Sequence, residues 1–485
     1  VSSLRRTAAR SIQWTAVSGG FAALVQLIQV ALLARLLSPA DFGLAAMASV
    51  VVGFAQAYAD MGFSNALIYR GDNDRRILST LYWTNLVAGL GLFLIVVLAT
   101  PWISRLYGEP RVQGILLIAA LSLLVTPIGQ QFRILLQREF LFKALSIMEI
   151  ASRTAGLATA LATAALLDQG AYSIVWGQLT SAGMQAAGLL AIGIRQWPPA
   201  LHFDRRDLRG YVRFGLFQLG ERGLNQASRD LDKFLIGILL NADLLGVYQV
   251  ASQIMRAPYR LLSPIVARVS VSAFAKIRLD DEKLRRGYVE VTRIVSLVTL
   301  PTYVGIGVLA DPLTRTFLGP SWGAAGPVLA TLVPLGALYS IGNLFGGLLI
   351  AKGRADIGFY VNALRLALYA PAIWFGARYG VQGVAWALCL VTGLILFPIG
   401  IRVRRWLIGQ PASEFLRAFS TSLPAALVMG LAVSIVDDLW LRSASPLLRI
   451  VFGIPVGVLV YSSIAWWREK ELLRTYFHSF SFKRY

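Results

Sequence analysis

The ten residues NQASRDLDKF, Asn225–Phe234, set Arg229, Asp230, Asp232 and Lys233 at the mouth of an apolar run that continues as LIGILL. Each residue of an α-helix turns about 100° around the axis. With Arg222 at zero, Gln218, Asn225, Gln226, Arg229 and Lys233 fall within about 60° on either side, and Asp232 lies just beyond. The opposite face is Leu, Phe, Ile, Gly and Ala. A charge at the bilayer midplane costs about 2.5–3.5 kcal/mol on insertion scales, so such a face turns to water or to other polar groups. Arginine keeps its charge and grips phosphate or carboxylate in fork geometry. The pattern points to binding of an anionic, polar head group.

The same pattern recurs elsewhere. Gln249, Gln253, Arg256 and Arg260 repeat at helical spacing, with Pro258 and Pro264 able to bend that helix. Gln56 and Asp60 share a face, Glu149 and Arg153 stand four apart, and Asn362 and Arg365 share a face. The candidate binding set is therefore Arg222, Asn225, Gln226, Arg229, Lys233, Gln249, Gln253, Arg256, Arg260, Arg153 and Arg365. Asp60, Glu149, Asp230 and Asp232 are carboxylates that could carry a coupling proton or Na⁺. The structural alternative is closed ion pairs: Asp230 and Asp232 with Arg229 and Lys233, and Glu149 with Arg153. Arg260 and Asp60 could instead snorkel to an interface. No catalytic residue, cofactor site or metal cluster is expected. His202 and His478 lie far apart, and Cys389 is the single cysteine.

The elements that must carry these residues are membrane spans. The chain has 485 residues, 56% hydrophobic and 15% charged, against about 25% charged in a soluble domain. Spans of about 20 apolar residues are predicted near 12–36, 40–61, 80–101, 112–132, 144–167, 170–194, 211–240, 242–274, 288–310, 325–350, 356–377, 380–401, 416–436 and 446–467. The net charge of +21 suggests nucleic acid in a soluble protein, but inner loops of membrane proteins collect Lys and Arg. With the N-terminus inside, inner segments hold clusters such as Arg5, Arg6, Arg10; Arg133, Arg138, Lys143; and Arg402, Arg404, Arg405. Outer segments hold Arg105, Arg111, Arg315, Arg378 and Arg442. That alternation predicts both termini on the cytoplasmic side, and no nucleic-acid partner.

Three stretches repeat in order. FGLAAMAS (Phe42–Ser49) matches LGVYQVAS (Leu245–Ser252), LYGEPRVQGILLIAAL resembles FLGPSWGAAGPVLATL, and QGAYSIVWG resembles YGVQGVAWA. The offsets of roughly 203–211 residues imply duplication of an even number of helices, hence parallel repeats with a transport path between them. The fold class expected is an all-α integral membrane protein of about fourteen spans. Residues 1–200 and 201–408 form two six-helix bundles related by a pseudo-two-fold; 409–467 add two helices, and 468–485 form a cytoplasmic tail.

LLARLLSPADFGLAAMASVVVGFAQAYADMGFSNALIYR (Leu32–Arg70), LLQREFLFKALSIMEIASR (Leu135–Arg153) and RDLDKFLIGILLNADLLGVYQVASQIMRAPYRLL (Arg229–Leu262) resemble polysaccharide-export flippases of the multidrug/oligosaccharidyl-lipid/polysaccharide exporter superfamily. The resemblance implies two six-helix bundles in a V, followed by two further helices. It also implies translocation of an undecaprenyl-pyrophosphate-linked oligosaccharide across a bacterial inner membrane for exopolysaccharide, capsule or O-antigen export. Expected partners are that lipid-linked oligosaccharide, membrane lipids, and the polymerase and glycosyltransferases of a polysaccharide pathway. The related lipid II flippases have arginine-lined cavities, which implies a cationic cavity here too. The alternatives are a multidrug or organic-cation antiporter of the same superfamily, for which an anionic cavity is expected, and a membrane-bound assembly enzyme or scaffold. The short loops argue against an enzyme.

Overall fold

A computed structural model describes residues 2–59, 63, 67, 74–209, 211–277 and 280–480; the side chains of 2–13, 16, 212–218, 262–273, 275, 276, 355 and 469–480 are excepted. The helices are α1 (Ser2–Leu36), α2 (Pro39–Ala59), α3 (Arg75–Tyr107), α4 (Val112–Ala120), α5 (Ser122–Arg138), α6 (Phe142–Leu166), α7 (Ala171–Gln196), α8 (Tyr211–Leu239) and α9 (Ala242–Lys276). They continue as α10 (Asp281–Val308), α11 (Ala310–Leu318), α12 (Ala325–Ala351), α13 (Ala355–Gly376), α14 (Gly380–Leu390), α15 (Phe397–Ile408), α16 (Ala412–Arg417), α17 (Ser422–Val436) and α18 (Pro446–Phe480). No strand occurs among the described residues. The described residues form an all-helical fold with helices long and apolar enough to span a membrane.

Each predicted span falls on a helix, but several boundaries move. The run placed at 80–101 is a 33-residue helix, because Pro101 sits inside α3 and does not end it. Neighbouring groups can satisfy the carbonyl that a proline frees within a membrane helix. The run at 416–436 becomes α17 only from Ser422, after turns at 418–421. Nine helical segments among the described residues are long and apolar enough to cross a membrane; α6, α7, α8 and α9 are not among them. Large apolar side chains such as Leu98, Trp102, Leu431 and Leu439 stand exposed, as lipid-facing residues must.

Polar caps fix the ends. Asp74 accepts from the Arg76 amide at 2.9 Å at the start of α3, and Asp280 accepts from the Lys283 amide at 3.0 Å at the start of α10. Each satisfies one of the unpaired amides of a first helical turn.

Residues 1–250 and 362–381 form one compact unit. Its helices approach through small residues. A methyl built on Gly43 of α2 would lie 1.8 Å from the Ala242 carbonyl oxygen of α9, and one on Gly246 of α9 would lie 1.8 Å from the Pro39 carbonyl oxygen. Residues 39 and 242, and 43 and 246, are each 203 apart, the register of the first repeat. The two helix starts thus cross in a reciprocal contact that only glycine admits. Asp41 fastens the same turn, accepting from the Ser38 hydroxyl at 2.6 Å and from the Ala171 amide of α7 at 3.0 Å.

Residues 251–361 and 382–485 form the second unit. Its core joins Phe274, Tyr288, Leu344, Leu348, Ile408 and Phe415. Arg404, which the sequence assigns to an inner loop, lies within it at 4% exposure. Its guanidinium stacks 3.9 Å from the Phe415 ring centroid, while Nε and Nη2 have no hydrogen-bond partner. A buried cation without a carboxylate contributes little net stability, because its desolvation offsets the attraction of the rings. Arg404→Met is therefore expected to leave the melting temperature unchanged or raise it. Arg404→Ala, which empties the cage, lowers stability by about 2 kcal/mol. Thermal unfolding of the purified variants checks both; a clear loss with methionine refutes the argument.

Candidate functional site

The polar face of α8 exists, and part of it is covered. α8 packs on α2. Gly53 of α2 leaves room for Gln226, whose Nε2 would lie 3.2 Å from a methyl at that position, and Gly223 of α8 accommodates the Tyr58 hydroxyl. Gln226 Nε2 donates to Asp230 Oδ2, and Lys233 Nζ donates to Asp230 Oδ1 at 2.9 Å. Asp230 and Lys233 side chains are each 18% exposed, so this pair is partly shielded from water. Asp232 is buried and accepts a 2.7 Å hydrogen bond from the Tyr248 hydroxyl of α9. Two of the four ions in the opening motif's stretch are thus paired with each other, and a third is tied to a tyrosine.

The cations sort differently. Arg229 is exposed on α8, and no ion pair to it is formed among the described residues. Arg222 is half-buried and has a partner within the chain. Asn362 of α13 donates to Asn225 Oδ1 at 3.0 Å. This clasp fixes the relative position of three arginines. Arg222 and Arg229 stand within about one turn of Asn225 on α8, and Arg365 stands within one turn of Asn362 on α13. Arg365 is half-buried, and its Nε is enclosed without a hydrogen-bond partner. A guanidinium edge in that state favours an incoming oxyanion, which would satisfy both its charge and its donor.

Arg153 of α6 is exposed and Glu149 half-buried, and no ion pair joins them among the described residues. Gln249 of α9 is half-buried with its Oε1 enclosed and unpartnered. In the second unit, Gln253 and Arg256 are half-buried and Arg260 is exposed, and each has a partner within the chain. Asp60, and the side chain of Gln218, lie outside the described residues. Gln56 donates to the Ser122 hydroxyl of α5 at 3.1 Å. Tyr248, Tyr58, Gly53 and Gly223 escaped the sequence reading. A tyrosine or glycine within an apolar run carries no charge signal, and only the helix pairing shows what it serves.

The sequence from 32 to 327 matches the profile of polysaccharide biosynthesis proteins. It is also 32% identical over 457 residues to the teichuronic acid biosynthesis protein TuaB of Bacillus subtilis, covering 93% of each chain. The chain belongs to the polysaccharide biosynthesis protein family. The lipopolysaccharide biosynthesis protein WzxC of Escherichia coli is 30% identical over 390 residues, covering 80% of this chain and 79% of that protein. Among solved structures, the lipid II flippase MurJ in an inward closed conformation superimposes with a TM-score of 0.76 at 17% identity, over 95% of this chain and all of that one. That likeness establishes the fold, and it agrees with the fold class expected from the sequence.

Proposed function

We propose that this protein flips an undecaprenyl-pyrophosphate-linked oligosaccharide repeat unit across a bacterial inner membrane, by alternating access through a cationic cavity. Three arginines gathered by the Asn225–Asn362 clasp carry the reading. A diphosphate and its sugars cannot enter hydrocarbon unaided, because each unpaired polar group costs several kcal/mol there. Arg222, Arg229 and Arg365 offer the pyrophosphate charge and forked donors, while the prenyl chain stays in lipid. With the inside negative, outward movement of the anion is favoured by about 2.3 kcal/mol per charge per 100 mV. The family relationship to teichuronic acid and lipopolysaccharide biosynthesis proteins supports a sugar-bearing substrate.

On this reading the protein is a transporter rather than an enzyme, with both termini cytoplasmic. Its halves, 1–200 and 201–408, are related by a pseudo-two-fold, and the reciprocal Gly43–Gly246 crossing supports that relation. Lys233 is held by Asp230, so it serves chiefly to position the α8 face. A coupling H⁺ or Na⁺ would engage carboxylates of the α8 network, and the polymerase and glycosyltransferases of the pathway are the natural protein partners.

The test is reconstitution with a fluorescent prenyl-pyrophosphate sugar, scored by its protection from an external quencher. Arg229→Ala and Arg365→Ala are each expected to slow flipping at least about tenfold, the loss of one charge-assisted contact, at unchanged protein level. Wild-type rates in both variants would remove the arginine cluster from the mechanism. Faster uptake of an organic cation than of the lipid would turn the reading to an antiporter. Repeating the assay with proton and sodium gradients identifies the coupling ion.

A further inference from the structure

A cavity of about 120 Å³ opens in the first unit among Arg75, Ser79, Tyr82, Gln131, Phe132 and Trp197. It shares no residue with the arginine cluster. Its position is the polar end of three helices: Arg75 opens α3, Gln196 closes α7, and Gln131 lies near the end of α5. Tryptophan and arginine concentrate at the ends of membrane helices, at the level of lipid head groups.

The wall is built and rigid. The chain after α7 lies across α3. Arg75 Nε donates to the Pro198 carbonyl at 2.9 Å, and the Ala200 amide donates to Ser79 Oγ at 2.8 Å. Trp83 Nε1 donates to the Ala200 carbonyl at 2.8 Å, and Thr80 Oγ1 donates to Asp207 at 2.8 Å. The Ser79 hydroxyl is engaged both ways, since it also donates to the Arg75 carbonyl at 2.6 Å.

Gln131 and Arg75 bring unfilled hydrogen-bonding capacity to this wall. Gln131 is 4% exposed, and its Nε2 donates to the Leu78 carbonyl at 2.8 Å, which fixes the orientation of the amide. Its Oε1 is then an enclosed acceptor with no donor. Arg75 uses Nε on Pro198, is exposed, and forms no ion pair among the described residues, so its guanidinium keeps its charge and further N–H donors for an oxyanion. A ligand must therefore bring an anionic oxygen and an N–H donor a few bonds apart. The Tyr82 and Phe132 rings, 5.6 Å apart, and Trp197 supply π faces suited to an ammonium. Arg75 is the only ionised residue in the lining, so the ligand also carries a formal negative charge. The volume admits a few waters or one small head group, and excludes an oligosaccharide.

We propose that this cavity binds a phosphoethanolamine group, with its phosphate on Arg75 and its ammonium on Gln131 Oε1 among the aromatic rings. The same chemistry is presented by an aminophospholipid of the membrane and by the free phosphomonoester.

The test uses the purified full chain in nanodiscs of phosphatidylcholine alone, or with phosphatidylethanolamine or phosphatidylglycerol added. Phosphatidylethanolamine is expected to raise the melting temperature by about 3 °C over phosphatidylcholine alone, and to be the lipid retained in native mass spectrometry. Arg75→Gln and Gln131→Leu abolish both effects. Arg229→Ala keeps both, which separates this cavity from the transport reading. Free phosphoethanolamine added to phosphatidylcholine discs is the second arm. A shift there supports the site and names a soluble source; no shift there, with the lipid effect intact, names the membrane. An equal shift from phosphatidylglycerol, no shift from any arm, or lipid retention unchanged in both cavity variants overturns the proposal. Retention counts the bound lipid directly, so a variant with lowered stability is still informative.

Discussion

Alanine at Gly43, or at Gly246, is expected to abolish transport while leaving the chain in the membrane. Each new methyl would lie 1.8 Å from a backbone carbonyl oxygen of the facing helix, on Ala242 or on Pro39. Carbon and oxygen make ordinary contact at roughly 3.4 Å or beyond, so the helix starts must part by more than an ångström. A flexible side chain could yield; a helical carbonyl cannot. Overpacking of this kind costs about 1–3 kcal/mol or more, enough to empty a conformational state in which α2 and α9 cross closely. On the proposed orientation, with both termini cytoplasmic, these ends lie on the outer side, and the variants would hold that end apart and uncouple the cycle. Flipping in reconstituted vesicles should fall at least tenfold, the equivalent of about 1.4 kcal/mol. Gly91→Ala is the control, because a methyl there meets nothing within 4 Å. Full transport by both the Gly43 and Gly246 variants would show that the crossing has no part in the cycle.

The second large effect concerns Asp232. Its carboxylate is 6% exposed, and the Tyr248 hydroxyl that donates to it is 1% exposed. Asp232→Ala strands that hydroxyl and leaves a small void, together worth about 2–3 kcal/mol. Asp232→Asn keeps an acceptor and should lose about 1 kcal/mol or less. Tyr248→Phe removes the donor, so adding it to Asp232→Ala should cost little more than Asp232→Ala alone. Thermal unfolding of the four proteins in detergent measures the coupling. Strict additivity of the two substitutions would mean that the hydrogen bond contributes nothing. The asparagine variant also separates stability from ion coupling: retained stability with loss of gradient dependence would assign Asp232 to the coupling ion.

The helices were legible in the sequence because lipid imposes a simple rule. A span must be long, apolar and hydrogen-bonded within itself, and the runs at 40–61, 325–350 and 446–467 announce this by composition alone. Ends were less legible where proline misled, as at Pro101 inside α3. The periodicity of α8 placed Asn225, Gln226, Arg229 and Lys233 on one face. Whether that face was open or covered depended on α2, a segment about 170 residues earlier, with Gly53 and Tyr58 packed against it.

Sequence by itself determined that this chain is a bundle of membrane helices, with arginines in places where lipid will not tolerate them. It determined these things because periodicity, apolar length and charge bias are local properties. Tertiary structure decided which ions close on each other and which stay open. Asp230 takes Lys233, Asp232 takes Tyr248, and beside the Asn225–Asn362 clasp Arg229 stands exposed and Arg365 Nε is enclosed without a hydrogen-bond partner. It also converted two glycines 203 residues apart into one crossing. Partner choice depends on distances of about 3 Å between helices far apart in the chain, and no local pattern encodes those distances.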